Sequence, residues 1–210
     1  MRTKRRTYTV KQQVFISIGI LFFGICLGTF AKYLDYRHAK LPWLLKVIDG
    51  TLDFHNFLGS FALWILIAVC IAVYSQTPIR SAINVFVFFV GMVSGYYVYC
   101  NYVAGFFPKS YVMIWVGFTI ISPILAFICW YAKGKGTVAI IISAGIIGVF
   151  ISIAFAFGMF YISISSWLKV IVLLVAILVL RRPVKEMIAV VGIGILLAVI
   201  MDILMPFSIW

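Results

Sequence analysis

Three side chains suited to binding an ion or a polar ligand lie close together in the chain: Asp49, Asp53 and His55. Carboxylate and imidazole groups together suit a divalent cation, and they can also bind a polar headgroup. A structural role is equally available, because Asp49-Gly50 is a turn signal, Thr51 can cap a following helix, and Asp53 would then stabilise that helix's dipole. The spacing matches no specific metal motif, so the sequence predicts a polar ligand site or a helix corner and no metal centre.

Two further polar residues interrupt apolar segments. Asp202 lies near the end of the last segment, and an acid within a membrane segment marks a functional site by default, although one so close to the end can reach water. Its candidate partners are Lys109 and the basic residues of 32–56. Asn84 can act as a ligand, but asparagine in such a segment more often bonds a neighbouring helix. Both are included as candidate ligand or ion residues.

No catalytic motif accompanies these residues. The chain lacks the G-x-S-x-G, H-E-x-x-H and P-loop patterns. The run Lys133-Gly134-Lys135-Gly136 has no preceding strand, so it is predicted to be a tight turn. The four cysteines form no C-x-x-C pair. The sequence therefore predicts a protein that is not an enzyme and that holds no cofactor.

The composition places this chain in a membrane. Hydrophobic residues make up 65% of its 210 residues and charged residues 10%, against about 45–50% and about 25% in soluble domains. No stretch is long and polar enough for a soluble domain, so we expect one membrane-embedded domain over residues 1–210. The net charge of +12 lies in short loops rather than in a basic stripe with aromatic residues, which favours a topology signal and argues against nucleic acid as a partner.

The apolar segments predict an all-α bundle of membrane-spanning helices. A helix needs about 20 apolar residues to cross the hydrocarbon layer. Seven segments come close: Val14–Ala31, Phe57–Tyr74, Ser81–Tyr99, Tyr111–Tyr131, Thr137–Met159, Tyr161–Leu180 and Met187–Phe207. The sixth is the weakest, because its uninterrupted apolar part begins only at Val170 and Lys169 must reach the surface. In the fourth, Ser122 is placed to bond the backbone that Pro123 frees.

Loop charges set the predicted orientation. With seven spans and a cytoplasmic N-terminus, eleven of the 17 lysines and arginines lie inside and six outside. If the sixth segment failed to cross, Arg181, Arg182 and Lys185 would move outside and the inner excess would vanish. The positive-inside rule thus predicts seven spans, with the N-terminus inside and the C-terminus outside. The acids and histidines that then face outward are Asp35, Asp49, Asp53, Asp202, His38 and His55.

Residues 32–56 form the one substantial segment that is not predicted to span. Its centre, LPWLLKVI, is apolar but too short to cross. With Trp43 as an anchor and lysines nearby, it is typical of a helix lying in the outer interface or of a re-entrant piece.

Two glycine pairs predict close helix packing. Gly24 and Gly28 form one GxxxG motif and Gly91 and Gly95 form another, and such pairs let helix backbones approach closely. Packing within the chain is the expected use, and homo-oligomerisation is the alternative. No internal repeat is recognised, and an odd number of spans argues against a simple inverted duplication.

The stretch SQTPIRSAINVFVFFVGMVSGYYVYCNYVAGFFPKSY, from Ser75 to Tyr111, is distinctive. It resembles a segment of uncharacterised small multi-span membrane proteins from low-GC Gram-positive bacteria. The resemblance implies a multi-pass protein of the bacterial plasma membrane, and it carries no assigned activity and no site residues.

Two classes of function fit these observations. The first is a small transporter, or the membrane subunit of a transport complex, with the polar residues of the outer face as its entrance. The second is a membrane-embedded factor that binds another protein, such as an immunity or accessory protein for a toxin or exporter. The expected partners are the lipid bilayer and, in a complex, another membrane protein.

Overall fold

The computed structural model describes residues 8–37, 42–157 and 161–204. His38, the predicted span ends Met159 and Phe207, and both chain termini lie outside the described residues. The described chain is all-α apart from one short hairpin. Its elements are α1 (Val10–Arg37), α2 (Trp43–Leu52), α3 (Phe54–Gly59), α4 (Phe61–Tyr74), α5 (Pro78–Tyr102), α6 (Lys109–Trp130), α7 (Thr137–Ala154), β1 (Phe155–Phe157), β2 (Ile162–Ile164), α8 (Trp167–Val179) and α9 (Val184–Leu204).

Helices α1 and α5 run parallel and in close contact. A Cβ atom added to Gly24 would lie 2.5 Å from the carbonyl oxygen of Phe88. The same addition to Gly28 would meet the carbonyl oxygen of Met92, and additions to Gly91 and Gly95 would meet backbone oxygens of α1. The backbones therefore pack directly on each other through all four glycines, within one chain.

Helices α7 and α9 form a second parallel pair with its own small-residue contact. A Cβ atom added to Gly148 would lie 3.0 Å from the carbonyl oxygen of Gly194. A Cβ atom added to Gly194 would in turn lie 3.3 Å from the carbonyl oxygen of Ala144. Both helices begin beside Arg182, whose side chain reaches the turn before α7, and α9 later contacts β1, which follows α7. The two helices thus point the same way.

These pairs define two units with the same connectivity. The first unit is α1, a return through α2, α3 and α4, and then α5. The second is α7, a return through the β1–β2 hairpin and α8, and then α9. Helix α6 joins them, and it runs parallel to α4, because Trp115 stacks on Phe61 while Trp130 bonds Ser75. The sequence analysis recognised no repeat, and the structure contains one at the level of helix order and direction.

The bundle has two distinct ends. The tight-turn end holds the short connections at residues 75–77, 131–136 and 180–183. The hairpin end holds α2, α3, the connection at 103–108 and the β1–β2 hairpin. Thr77 shows how a tight turn is built, since its hydroxyl accepts the backbone N–H of Arg80 at 3.1 Å and Pro78 supplies a first helical residue that needs no N–H partner.

Both return helices are short. Helix α4 has 14 residues and α8 has 13, less than the roughly 20 that cross a bilayer in one straight piece. The predicted span Phe57–Tyr74 is broken at Ser60. The predicted span Tyr161–Leu180 is helical only from Trp167, and the helix of the predicted span Thr137–Met159 ends at Ala154, because residues on both sides of 158–160 pair as antiparallel strands. These boundaries correct the sequence prediction.

Five helices in the described part of the chain are long and apolar enough to cross a membrane. They are α1, α5, α6 with its 3₁₀ extension to Lys133, α7 and α9. The count of seven spans and the orientation of the termini therefore stay predictions. Large apolar side chains cover the exposed surfaces of α1, α6 and α9, for example Phe15, Ile120 and Ile188. Such a surface is suited to contact with lipid, so this is a membrane-embedded protein.

Segment 32–56 is more helical than its sequence predicts. Helix α1 continues to Arg37, and α2 is an amphipathic helix with no buried residue. Asp49 and Gly50 lie inside α2 rather than in a turn, and Thr51 bonds the carbonyl of Val47 instead of capping α3. The chain turns at Asp53, whose positive φ of 52° ends α2 and begins α3.

The core consists of two clusters that share α4. One cluster joins α7, α8 and α9 and includes Leu66 and Val73 of α4. The other joins α1 and α5 and includes Trp64 and Ala72 of α4. Phe57 packs against both clusters. Helix α4 therefore presents one face to each unit and lies at the centre of the bundle.

Candidate functional site

The structure brings Asp49, Asp53 and His55 together at the corner between α2 and α3. The His55 ring nitrogen Nδ1 lies 2.8 and 3.0 Å from the two carboxylate oxygens of Asp49. The backbone N–H of His55 also donates to Asp49, at 2.8 Å. Asp53 lies 3.5 Å from the same ring nitrogen and accepts two hydrogen bonds from Asn56, at 2.9 and 3.0 Å.

This arrangement fixes the angle between the two helices. The Asp49 carboxylate is mostly buried, whereas that of Asp53 is exposed. Among the residues that the structure describes, no three histidine, cysteine, aspartate or glutamate side chains are grouped to hold a metal ion. The corner is therefore a hydrogen-bonded polar surface with one exposed carboxylate, and its use as a ligand or ion site stays a prediction.

Asp202 and Asn84 lie apart from that corner. Asp202 is half-buried in the last turn of α9, and its side chain makes no hydrogen bond or ion pair with another described residue. Asn84 lies near the tight-turn end, where Ser17 donates to its Oδ1 at 2.8 Å and its amide donates to Ser75 at 3.3 Å. Asn84 thus ties α1, α5 and the end of α4 to one another.

Lys32 is a polar residue that the sequence analysis treated only as a loop charge. It lies within α1, is 5% exposed, and forms an ion pair with Asp35 one turn later. Its ammonium group also lies 5.3 Å from the ring centre of Tyr96 and 4.9 Å from that of Phe106. The signal in the sequence was the spacing of Lys32 and Asp35, which puts them on one helix face.

Arg182 is the second polar residue that the sequence analysis missed. Its guanidinium group donates to the carbonyl oxygens of Ala132 and Gly134, the latter at 3.1 Å, and to Glu186 at 2.9 Å. It also lies within 3.4 Å of the Ser143 hydroxyl. A cation at the end of a helix is favourable because the last carbonyls carry partial negative charge. Arg182 therefore holds the end of α6 against α7 and α9.

The first unit holds the same end of α6. The Trp130 indole N–H donates to the carbonyl of Ser75 at 2.8 Å, and the Ser81 hydroxyl donates to the carbonyl of Ala126 at 2.8 Å. Both units are thus bonded to α6 at the tight-turn end, so the bundle is closed there.

A cavity of about 390 Å³ lies between the two units, beside the centre of α4. Its walls come from α4 and α5 of the first unit, from α6, and from α7 of the second. Toward the hairpin end, Phe61 and Trp115 stack with ring centres 4.6 Å apart, and Phe118 packs on Phe61 at 5.1 Å. The remaining wall residues are small or aliphatic, apart from Trp64, Phe89, Ser122 and Cys129. The cavity is of the size that binds small molecules.

The comparisons with known proteins identify a family but no activity. The model of DUF6518, a family of unknown function, matches residues 46–207, so this chain belongs to that family. The match begins within α2 and takes in the corner, the cavity and the second unit. No curated protein and no solved structure matches the chain.

Proposed function

We propose that this protein is a small transporter in which two three-helix units enclose a substrate pathway. The observation that carries the proposal is a short return helix at the same place in each unit, α4 and α8, together with a cavity that α4 of the first unit and α7 of the second help to line. In transporters built from repeats, short or interrupted apolar segments at corresponding positions of the two halves point to a substrate site near the middle of the bilayer.

The helix directions support seven membrane crossings. Because α1 and α5 are parallel, the chain between them has to return to the tight-turn end, and α3 with α4 provides that return. The parallel α7 and α9 require the same of α8. We propose that neither non-helical part of the returns faces the hydrocarbon, since a bare backbone is not tolerated in lipid. Ser60, which is half-buried, lies against protein, and the β1–β2 hairpin, whose β2 residues are exposed, lies in the outer interface.

Charge supports an orientation with the tight-turn end in the cytoplasm. Arg80, Lys133, Lys135, Arg181 and Lys185 lie in or next to its short turns, as the positive-inside rule requires. The N-terminus is then inside and the C-terminus outside, and the hairpin end faces outward. With α4 shared by both core clusters, we propose one domain over the whole chain, in a bacterial plasma membrane.

The outward polar residues fit an entrance to the cavity. The α2–α3 corner is two residues from Phe57, which packs against both core clusters. The exposed carboxylate of Asp53 is in position to act on an approaching solute, and we propose that Asp202 acts at the same end. Asp49 and His55 position Asp53 because they hold the α2–α3 corner. Asn84 acts at the opposite end of the bundle, where its hydrogen bonds join α1, α5 and the end of α4.

The test is whether the cavity opens to both sides of the membrane. In a variant that keeps Cys129, which lines the cavity, as its only cysteine, a membrane-impermeant maleimide is added from one side and then from the other. We expect labelling from each side, because a transporter exposes its site alternately. The matched control keeps only Cys26, which lies on the exposed surface of α1 and should stay unlabelled from both sides in lipid.

The outcomes separate the two classes of function. Labelling of Cys129 from both sides in the purified protein supports a self-sufficient transporter, and two-sided labelling only in native membranes with a co-purifying protein supports a subunit of a transport complex. Labelling from one side alone, or from neither, in both preparations contradicts transport and favours a protein-binding factor.

A further inference from the structure

We propose that the cavity binds an uncharged apolar molecule with a flat aromatic ring system, as the substrate of the transporter proposed above. That this molecule is a substrate rests on the proposed function. Its binding in the cavity does not depend on transport. It follows from the chemistry of the cavity wall, from the arrangement of its aromatic rings and from its volume.

The wall excludes charged and highly hydroxylated ligands. No charged side chain lies among the described residues that line the cavity. Burying an isolated charge in such surroundings is very costly, and each buried hydroxyl without a hydrogen-bond partner adds a further cost. A sugar, an amino acid or an inorganic ion would therefore lose more hydration free energy on leaving water than its contacts with this wall would provide.

The one hydroxyl in the wall is already in use. Pro123 has no backbone N–H, so the carbonyl of Thr119 lacks its usual helical partner. The Ser122 hydroxyl donates to that carbonyl at 2.9 Å, as the sequence predicts. Ser122 thus repairs α6 and has no second proton to offer, which leaves only the Cys129 thiol and the indole N–H groups of Trp64 and Trp115 as side-chain donors among the described wall residues.

The aromatic rings favour a flat ligand over a flexible chain. Phe61 and Trp115 stack with an angle of 13° between their planes, and Phe118 meets Phe61 at 58°. A stacked pair with an inclined third ring offers both a face and an edge to another ring, and such contacts stabilise binding beyond what area burial contributes. A lipid chain gains no such contact, and it would lose more rotational freedom on entering.

Glycine positions in the bundle allow a controlled test. Gly145 lines the cavity, and a Cβ atom added there meets nothing within 4 Å, so Gly145→Leu fills the space with little strain. Gly192 on α9 is equally unobstructed but is exposed on the outside of the bundle. Gly192→Leu is therefore the matched control, since it adds the same side chain to a helix facing lipid.

The experiment compares two probes with the same rings and different charge. Purified protein in nanodiscs is titrated with N-phenyl-1-naphthylamine, which is neutral, and with 1-anilinonaphthalene-8-sulfonate, which is anionic. Energy transfer from the six tryptophans of the chain reports bound probe, empty nanodiscs give the background, and the loss of the signal in Gly145→Leu assigns it to the cavity. We expect saturable binding of the neutral probe, at least tenfold tighter than that of the anionic probe, lost in Gly145→Leu and kept in Gly192→Leu.

Three results would overturn the assignment. They are equal affinity for the two probes, no saturable binding of the neutral probe above empty nanodiscs, and quenching of the cavity tryptophans by brominated acyl chains that Gly145→Leu abolishes. The last result would make the occupant a bilayer lipid. Because wild-type protein alone gives the comparison of probes, misfolding of Gly145→Leu does not prevent a decision.

The substrate class and the transport function fail separately. Two-sided labelling of Cys129 without binding of the neutral probe would leave a transporter for another class of substrate. Binding of the neutral probe with one-sided labelling would leave an apolar binding protein that does not transport.

Discussion

Among single residues, Arg182 joins more elements than any other charged side chain described above. It donates to two carbonyls at the end of α6, to Glu186 at the start of α9 and toward Ser143 of α7. Its side chain is 7% exposed, so water cannot readily replace those bonds. Its neighbour Arg181 is exposed, and the two residues share one charge and one loop.

This difference predicts the effects of two matched substitutions. Arg182→Ala removes the donor to the Gly134 carbonyl, one of the two donors to the buried Ala132 carbonyl and the partner of Glu186. Bonds to charged groups contribute about 1.5–3 kcal/mol, so we expect a loss of stability of that order. Arg181→Ala should change stability by less than about 0.5 kcal/mol, as surface substitutions do. Thermal unfolding in detergent measures both, and equal effects of the two substitutions would contradict the role given to Arg182.

At the hairpin end of the bundle, we expect Asp53 and Asp202 to affect the access of charged molecules to the cavity. Asp53→Asn and Asp202→Asn should each slow labelling of Cys129 by a cationic thiol reagent added from the hairpin end, by roughly two- to tenfold, because acids at an entrance concentrate cations there. A neutral reagent of the same size is the control and should react at an unchanged rate. Equal rates of cationic labelling in wild type and both variants would remove these residues from the entrance.

Among the elements, the contact between α1 and α5 depends on the absence of side chains. Gly28 faces the backbone of Met92 directly, whereas Gly19 of the same helix meets nothing within 4 Å. A Cβ atom can be added at Gly19 without cost but at Gly28 only by moving one helix away from the other.

This contrast yields a prediction for the same substitution at two sites. Gly28→Ala should destabilise the protein by about 1–3 kcal/mol, as overpacking does. Gly19→Ala should be neutral or stabilising by up to about 1 kcal/mol, because alanine favours helix over glycine. Unfolding in a graded series of denaturing detergent measures the difference, and a neutral Gly28→Ala would show that the contact is loose in solution.

For the molecule as a whole, the alternating helix directions predict which loops share a side of the membrane. In a background without the natural cysteines, Gln76→Cys, Lys135→Cys and Arg181→Cys should react with an impermeant reagent from one side only. Thr51→Cys and Lys109→Cys should react from the opposite side only. If α8 did not cross, Arg181→Cys would react together with Thr51→Cys and Lys109→Cys, and the count of seven crossings would be wrong.

The repeat is visible at the scale of the molecule but leaves only a faint signal in the sequence. Thr77-Pro78-Ile79-Arg80 begins α5 and Arg182-Pro183-Val184-Lys185 begins α9. In both, proline precedes a β-branched residue and a base, after a short apolar helix. The apolar positions themselves vary freely, because any large aliphatic side chain can fill a bundle interior, so helix direction is preserved without sequence similarity.

The sequence determined the environment of this protein and most of its helices. Apolar runs of sufficient length have few alternatives to helix, because a backbone in lipid has to bond within itself. The GxxxG glycines likewise predicted a close contact between helices, since few other roles require glycine at that spacing. The nearness of Asp49, Asp53 and His55 in space followed from their nearness in the chain.

Only the tertiary structure decided which helices pair, where two helices stop short and what the cavity is made of. The partner of a glycine face depends on the path of the whole chain, and the sequence of α1 holds no information about that path. Phe61 and Ala68 of α4 and Trp115 of α6 are ordinary apolar residues from two separate stretches of the sequence. They form one cavity wall only because α4 and α6 run parallel. In the sequence, Arg182 is one of many loop charges. Only folding brings the end of α6 within reach of its guanidinium group.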